Sequence, residues 1–111
     1  MEFAITEYKH CDLMKITGRI DSYTAPQINQ ALQVLITDDH CNIVIDLQEV
    51  TYISSSGILA FVNIQQKFSR QNRGKLVFSG ISDLVYSAFE LSGFYSLFEF
   101  YDNVVSAVGG F

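Results

Sequence analysis

The chain has 111 residues, the size of one compact domain that can bury its own core, so we expect a single domain over residues 1–111. Its 49% apolar and 17% charged residues argue against a disordered segment, and the net charge of −5 argues against a direct nucleic-acid partner. The sequence lacks a signal-peptide pattern and an apolar run of about 18 residues that could span a bilayer. We therefore expect a cytoplasmic protein without a membrane partner.

The first elements form a predicted hairpin and helix. Residues 3–8 and 13–17 have the character of extended segments, and residues 9–12 are the connecting turn. Thr24 and Gln27 have the spacing of a capping box, with Pro26 in the first turn of the helix that they begin. The apolar face of this helix is predicted to contain Ile28, Leu32, Leu35 and Ile36.

The central stretch of the chain predicts a buried strand, a loop and a helix. Residues 43–47 are a short, mostly β-branched apolar run, which is typical of a strand covered on both faces in a parallel sheet. A loop is expected next, and then a helix from about Ser56. The apolar stripe of this helix is predicted to contain Ile58, Phe61, Val62, Gln65 and Phe68.

The last third of the chain continues the alternation of strands and helices. Residues 75–79 and 95–100 are predicted strands, and residues 82–91 and 103–108 are predicted helices. The many aromatic side chains of this region are expected to lie mainly in the core. Alternation after an opening hairpin predicts an α/β fold with a mixed sheet of about five strands.

Three consecutive serines and a glycine stand where the central helix begins. One serine, acting as an N-cap, would accept a hydrogen bond from a free amide of the first turn. Ser54, Ser55 and Ser56 with Gly57 exceed that need and leave a small, hydroxyl-rich tip. A phosphate there would meet free amides and the positive end of the helix dipole, so the tip is a candidate regulatory site.

The chain resembles the STAS domain, and in particular the single-domain anti-sigma factor antagonists of bacteria. Residues 17–21, 50–57, 74–78 and 91–98 stand in the order and spacing of that family and cover nearly the whole chain. The resemblance implies the STAS fold. It also implies that Ser55, which follows the usual aspartate position, is phosphorylated by the partner kinase. Two positions depart from the family pattern: Ser54 replaces that aspartate, and Leu59 replaces a common second glycine.

The resemblance further implies a partner-switching function. Such a protein binds an anti-sigma factor that is also a serine kinase, frees the sigma factor, and is released by phosphorylation until a phosphatase resets it. If the strand that ends before Asp21 is a parallel neighbour of residues 43–47, the Asp21 loop meets the Ser55 loop, because the carboxyl ends of parallel strands meet at one edge of a sheet. The residues predicted to contact the partner are Asp21, Ser22, Tyr23, Ser54, Ser56, Gly57 and Ile58.

Two histidine–cysteine pairs suggest a metal site only weakly. His10-Cys11 and His40-Cys41 are expected at the same end of the sheet, but their arrangement matches no established ligand spacing. Two cysteines are also too few for a disulfide framework. We therefore predict no metal and no cofactor.

Catalysis is not expected, because a serine nucleophile needs a positioned base and both histidines are predicted at the end of the sheet opposite Ser55. Two alternatives to the phosphorylation switch stay open. One is a STAS interaction scaffold of a bacterial signalling complex that is not phosphorylated. The other is a sensor of a small ligand, such as a nucleotide, at the same loop.

Overall fold

The computed structural model describes all residues, 1–111, and contains one mixed sheet with strand order β1-β2-β3-β4-β5. Strand β1 (Glu2–Glu7) pairs with β2 (Asp12–Ile20) in the antiparallel direction. Strands β3 (Asn42–Ile53), β4 (Lys75–Ser79) and β5 (Phe100–Tyr101) follow, each parallel to the strand before it. The predicted hairpin and five-stranded mixed sheet are therefore confirmed.

Helices connect the parallel strands. Helix α1 (Ala25–Thr37) joins β2 to β3, and α2 (Ser55–Gln71) joins β3 to β4. Helix α3 (Asp83–Ser92) and a 3₁₀ turn (Tyr95–Leu97) join β4 to β5, and α4 (Val104–Gly109) follows β5. None of these helices has both the length and the apolar character needed to cross a membrane.

The core has a large and a small part, one on each face of the sheet. The large part contains 22 buried residues, nearly all of them from the sheet and from α1, α2 and α3. The small part forms where Ala107 of α4 packs near Val44 and Val77. Residues 43–47 of β3 are buried on both faces, as the apolar run predicted. The largest fully buried side chains are Phe61, Phe68, Phe78 and Phe89.

The prediction of a loop after residue 47 is wrong, because β3 continues to Ile53. Its second half pairs with the second half of β2, where Gly18 lies opposite Val50 and Ile20 opposite Ile53. Val50 and Ile53 are buried, whereas the polar residues between them face solvent. A half-buried strand with this many polar residues has no continuous apolar run and resembles a loop.

The predicted strand over residues 95–100 is wrong except at its last residue, since Tyr95–Leu97 is the 3₁₀ turn and only Phe100 and Tyr101 pair with β4. Part of the edge of β4 has no strand partner, and a side chain of α2 supplies a hydrogen-bond acceptor there. Gln65 Oε1 accepts a hydrogen bond from the amide of buried Leu76 at 2.8 Å, and Gln65 Nε2 donates to the carbonyl of Leu97 at 3.0 Å. Gln65 therefore joins α2, β4 and the 3₁₀ turn, a polar role that its place in an apolar stripe did not indicate.

Candidate functional site

The serine tip begins α2 directly after β3. Ser54 is the N-cap, with extended backbone, and its Oγ accepts a hydrogen bond from the amide of Gly57 at 3.2 Å. Serine and aspartate are comparable N-caps, so Ser54 can serve structurally where the family usually has aspartate. Ser55 and Ser56 are exposed. One serine is therefore used by the fold, and two hydroxyl groups face solvent.

Gly57 and Ile58, which the sequence predicted at the partner surface, are buried in this structure. A Cβ atom at Gly57 would lie 2.6 Å from Ile20 Cγ2 and 3.0 Å from Ile53 Cγ1. Only glycine lets the first turn of α2 approach β2 and β3 so closely. Gly57 and Ile58 therefore do not belong to the exposed surface that Ser55 and Ser56 form.

The Asp21 carboxylate organises the loop between β2 and α1. Its Oδ1 accepts hydrogen bonds from the amides of Tyr23 at 3.0 Å and Thr24 at 3.1 Å, and from Thr24 Oγ1 at 3.2 Å. Desolvation acts to raise the pKa of Asp21, but these hydrogen bonds and the charge of Arg19 outweigh it, and the pKa is lowered. The predicted capping box is wrong, because the Thr24 hydroxyl shares its one proton between Asp21 Oδ1 and Arg19 O and makes no cap hydrogen bond to α1.

The two loops meet at the carboxyl edge of the sheet, as the parallel arrangement predicted. The amide of Ser54 donates to the carbonyl of Ile20 at 2.8 Å, which joins the end of β2 to the start of α2. Beside this junction, Ser22 and Ser56 both line a cleft of about 370 Å³ between α1 and α2. Tyr23, in the loop between β2 and α1, is 87% exposed. The cleft has no Lys or Arg among its lining residues, which also include Pro26, Asn29, Leu59 and Asn63.

Sequence reasoning did not assign Leu59 and Asn63 to this site. They follow Ser55 at intervals of four residues, so they lie on the same outward face of α2. Leu59 is 45% exposed, although it is a large apolar residue. The four-residue spacing is the signal that would have identified them.

The opposite end of the sheet holds both histidine–cysteine pairs. His40 Nδ1 lies 2.6 Å from Oδ2 of buried Asp12, and this hydrogen bond is the main cause of the raised pKa of His40. Cys11 and Cys41 are free and buried in different parts of the core. No three His, Cys, Asp or Glu side chains are grouped so that they could hold a metal ion. Ser55 consequently has no imidazole at its own edge of the sheet.

An opening hairpin, a parallel βαβ arrangement and a serine-capped central helix are together the architecture of a STAS domain. The STAS domain family model matches residues 2–107, and the chain belongs to this family. The anti-sigma-B factor antagonist of Listeria monocytogenes is 36% identical over 101 residues, which are 91% of this chain and 86% of that protein. The predicted resemblance to the STAS anti-sigma factor antagonists is confirmed.

Solved structures agree on the fold. An anti-sigma factor antagonist from Mycobacterium paratuberculosis has a TM-score of 0.87 with 20% identity, covering 98% of this chain and 92% of that one. The Bacillus cell fate determinant SpoIIAA, in its phosphorylated form, has a TM-score of 0.75 with 14% identity, and the match covers 98% of each chain. At these identities the structures establish the shared STAS fold.

Proposed function

We propose that this protein is an anti-sigma factor antagonist that binds an anti-sigma factor and thereby frees a sigma factor. The observation that carries the proposal is the exposed Ser55, which begins α2 beside the cleft between α1 and α2. The name and the similarity of the Listeria relative support the same function. We propose Ser55 as the phosphoacceptor that switches binding off.

The partner would bind what we call the switch surface, formed by the two joined loops and the start of α2. Its exposed hydroxyl groups and the 87% exposed ring of Tyr23 offer polar and aromatic contacts, which are common at protein interfaces. Gly57 and Ile58 support this surface from below. The residues of the switch surface are Asp21, Ser22, Tyr23, Ser54, Ser55 and Ser56.

Phosphorylation of Ser55 would change the charge of this surface with little change in fold. A phosphoserine carries about 1.5 to 2 negative charges at neutral pH. The first-turn amides and dipole of the 17-residue α2 accommodate an anion at its N-terminus. A docked partner would instead meet a hydrated phosphate on the same surface as the Asp21 carboxylate, and the cleft contributes no basic residue to this interface. The complex should therefore weaken while the antagonist stays folded.

The chemistry of the switch belongs to its partners in this proposal. A serine kinase activity of the anti-sigma factor would supply ATP and magnesium, and a separate phosphatase would remove the phosphate. The antagonist itself needs no catalytic residue and no cofactor. It would act in the cytoplasm and would affect transcription without contacting DNA.

The proposal is tested by measuring the affinity of the cognate anti-sigma factor for the unmodified protein and for the protein phosphorylated at Ser55. Isothermal titration calorimetry should show a Kd at least about tenfold weaker for the phosphorylated form, a loss of about 1.4 kcal/mol in binding free energy. Ser56→Ala is the matched control, because it removes the neighbouring exposed hydroxyl and leaves Ser55 intact. Phosphorylation at Ser55 should weaken binding of this variant by the same factor. Equal affinity of both forms would refute the switch.

The second candidate function is constitutive binding without phosphorylation, as a scaffold in a signalling complex. Ser54 favours it, because this residue keeps the N-cap but removes the carboxylate that precedes the acceptor serine in the family pattern. A partner that binds stably and never phosphorylates Ser55 would support the scaffold.

A further inference from the structure

Helix α3 presents an apolar stripe to solvent. Leu84 is 70% exposed and Leu91 is 90% exposed, the largest exposed fractions among the leucines of the chain, and Ala88 lies between them. Positions 84, 88 and 91 fall on one side of a helix. Val85 and Phe89, which are buried, already anchor α3 to the core. Ala88 is partly buried against the same core, so only the two leucines of the stripe are not required to hold α3 in place.

The stripe forms one wall of a groove whose other wall is the end of β3. This α3 groove has a volume of about 210 Å³, and six of its seven lining residues are hydrophobic. Tyr52 contributes the wall from β3, and the guanidinium of Arg19 lies 4.3 Å from the centre of its ring. Such a cation–π contact favours the observed position of the Tyr52 ring on the β3 wall.

The charges on the two walls of the groove differ: the basic Arg19 lies over Tyr52 on the β3 wall, and the α3 wall is acidic. Asp83 and Glu90 are exposed and lie seven residues apart, so they flank the same side of the stripe. Helix α3 contains no Lys or Arg. A second copy of this chain packed α3 against α3 would therefore place only carboxylates along the contact, and like charges disfavour that arrangement. A partner helix with an apolar stripe and a basic flank would complement both the exposed leucines and the carboxylates of α3.

We propose that the α3 groove binds an amphipathic helix of a partner protein. Leucine-like side chains of that helix fill the groove, and its Lys or Arg residues lie beside Asp83 and Glu90. The ten residues of α3 span about 15 Å, which suits two to three turns of the bound helix. Tyr52 precedes the serine tip in sequence, so the groove opens near the switch surface and gives the protein a second contact site.

The proposal is tested by titrating the ¹⁵N-labelled protein with a synthetic helical peptide and following amide shifts by NMR. The peptide has leucines at spacings of three and four and lysines on one flank, and a matched peptide carries glutamates in place of those lysines. The lysine peptide should shift the amides of Tyr52, Leu84 and Leu91. The glutamate peptide should bind at least about tenfold more weakly.

Variants then assign the contact to the groove. Leu91→Ser and Glu90→Lys should each raise the Kd of the lysine peptide, Leu91→Ser by about tenfold or more, because the leucine is the most exposed apolar side chain of the stripe. Val105→Ser is the matched control, since Val105 is 82% exposed on α4, which packs on the other face of the sheet. Ser55→Ala should also leave peptide binding unchanged, which separates this test from that of the switch.

Three results would overturn the proposal. The first is the absence of any amide shift at about 1 mM peptide, because a Kd above that concentration is too weak for a useful interaction. The second is equal binding of the lysine and glutamate peptides, or binding that Leu91→Ser does not alter. The third is self-association of the protein in sedimentation equilibrium that Leu91→Ser abolishes, which would assign the groove to a second copy of the chain.

Discussion

The amide of Ser54 donates a hydrogen bond to the carbonyl of Ile20 at 2.8 Å, and this bond joins the loops after β2 and β3. The bond exists because β2 and β3 are parallel neighbours that stay paired as far as Ile20 and Ile53. The N-cap of α2 therefore cannot move without moving the end of β2. This coupling makes the Asp21 loop and the Ser55 tip one surface.

Asp21→Ala should weaken partner binding and lower the melting temperature, because the amides of Tyr23 and Thr24 lose their acceptor. Asp21→Asn is the matched variant, since its side-chain oxygen can keep those hydrogen bonds while the charge is removed. Circular dichroism melts should show a smaller decrease in melting temperature for Asp21→Asn than for Asp21→Ala. Identical melts for both variants would mean that the hydrogen bonds do not hold the loop.

Gly57→Ala should destabilise the fold by about 1 to 3 kcal/mol, because the added methyl overlaps Ile20 and Ile53 in a packed region. Gly109→Ala is the control, since nothing lies within 4 Å of a Cβ there and alanine is the better helix former. Urea unfolding measures the free energy of unfolding of both variants. A Gly57→Ala protein as stable as the parent would show that the first turn of α2 does not need this close approach.

Gln65→Ala should lower the free energy of unfolding by about 1 to 3 kcal/mol, because the buried Leu76 amide is left without its acceptor. The exposed neighbour Gln66 provides the comparison, and Gln66→Ala should change stability by no more than about 0.5 kcal/mol. Hydrogen exchange of the Leu76 amide gives a local measurement. Unchanged protection of this amide in Gln65→Ala would contradict the assigned role.

The hydrogen bond to Asp12, with the charges of Asp12, Glu7 and Asp38, raises the pKa of His40. A pKa raised by folding adds stability that is fully present below the unfolded value near 6.5 and is lost as pH rises through the folded value. Urea midpoints at about pH 5.5 and about pH 8.5 should therefore differ less in His40→Gln than in the parent. His10→Gln is the matched control, because it removes an exposed imidazole and leaves the hydrogen bond between His40 and Asp12 intact.

Features with a local chemical cause were predictable from the sequence. The apolar run at 43–47, Pro26 in the first turn of α1 and Ser82 as the cap of α3 each lie where predicted, and Ser82 Oγ accepts the amide of Val85 at 3.3 Å. Ser55 was also placed correctly at an exposed helix start. In each case neighbours in sequence determine the structure.

Features that depend on distant partners were missed. The second half of β3 is a strand because β2 lies beside it, and its own polar residues do not indicate that. The Gln65 side chain replaces a strand partner of β4 that the short β5 cannot supply. Gly57 and Ile58 follow exposed serines in sequence, yet Gly57 lies against Ile20 and Ile53 and Ile58 is buried in the large part of the core.

The most direct test of the central claim is intact-mass analysis after incubation with ATP, magnesium and the cognate anti-sigma factor. The parent protein and Ser56→Ala should each gain one phosphate, and Ser55→Ala should gain none. If Ser55→Ala still gains a phosphate, the acceptor is another residue. No phosphate on the parent protein, together with stable binding to the same partner, would contradict the switch and support the constitutive scaffold.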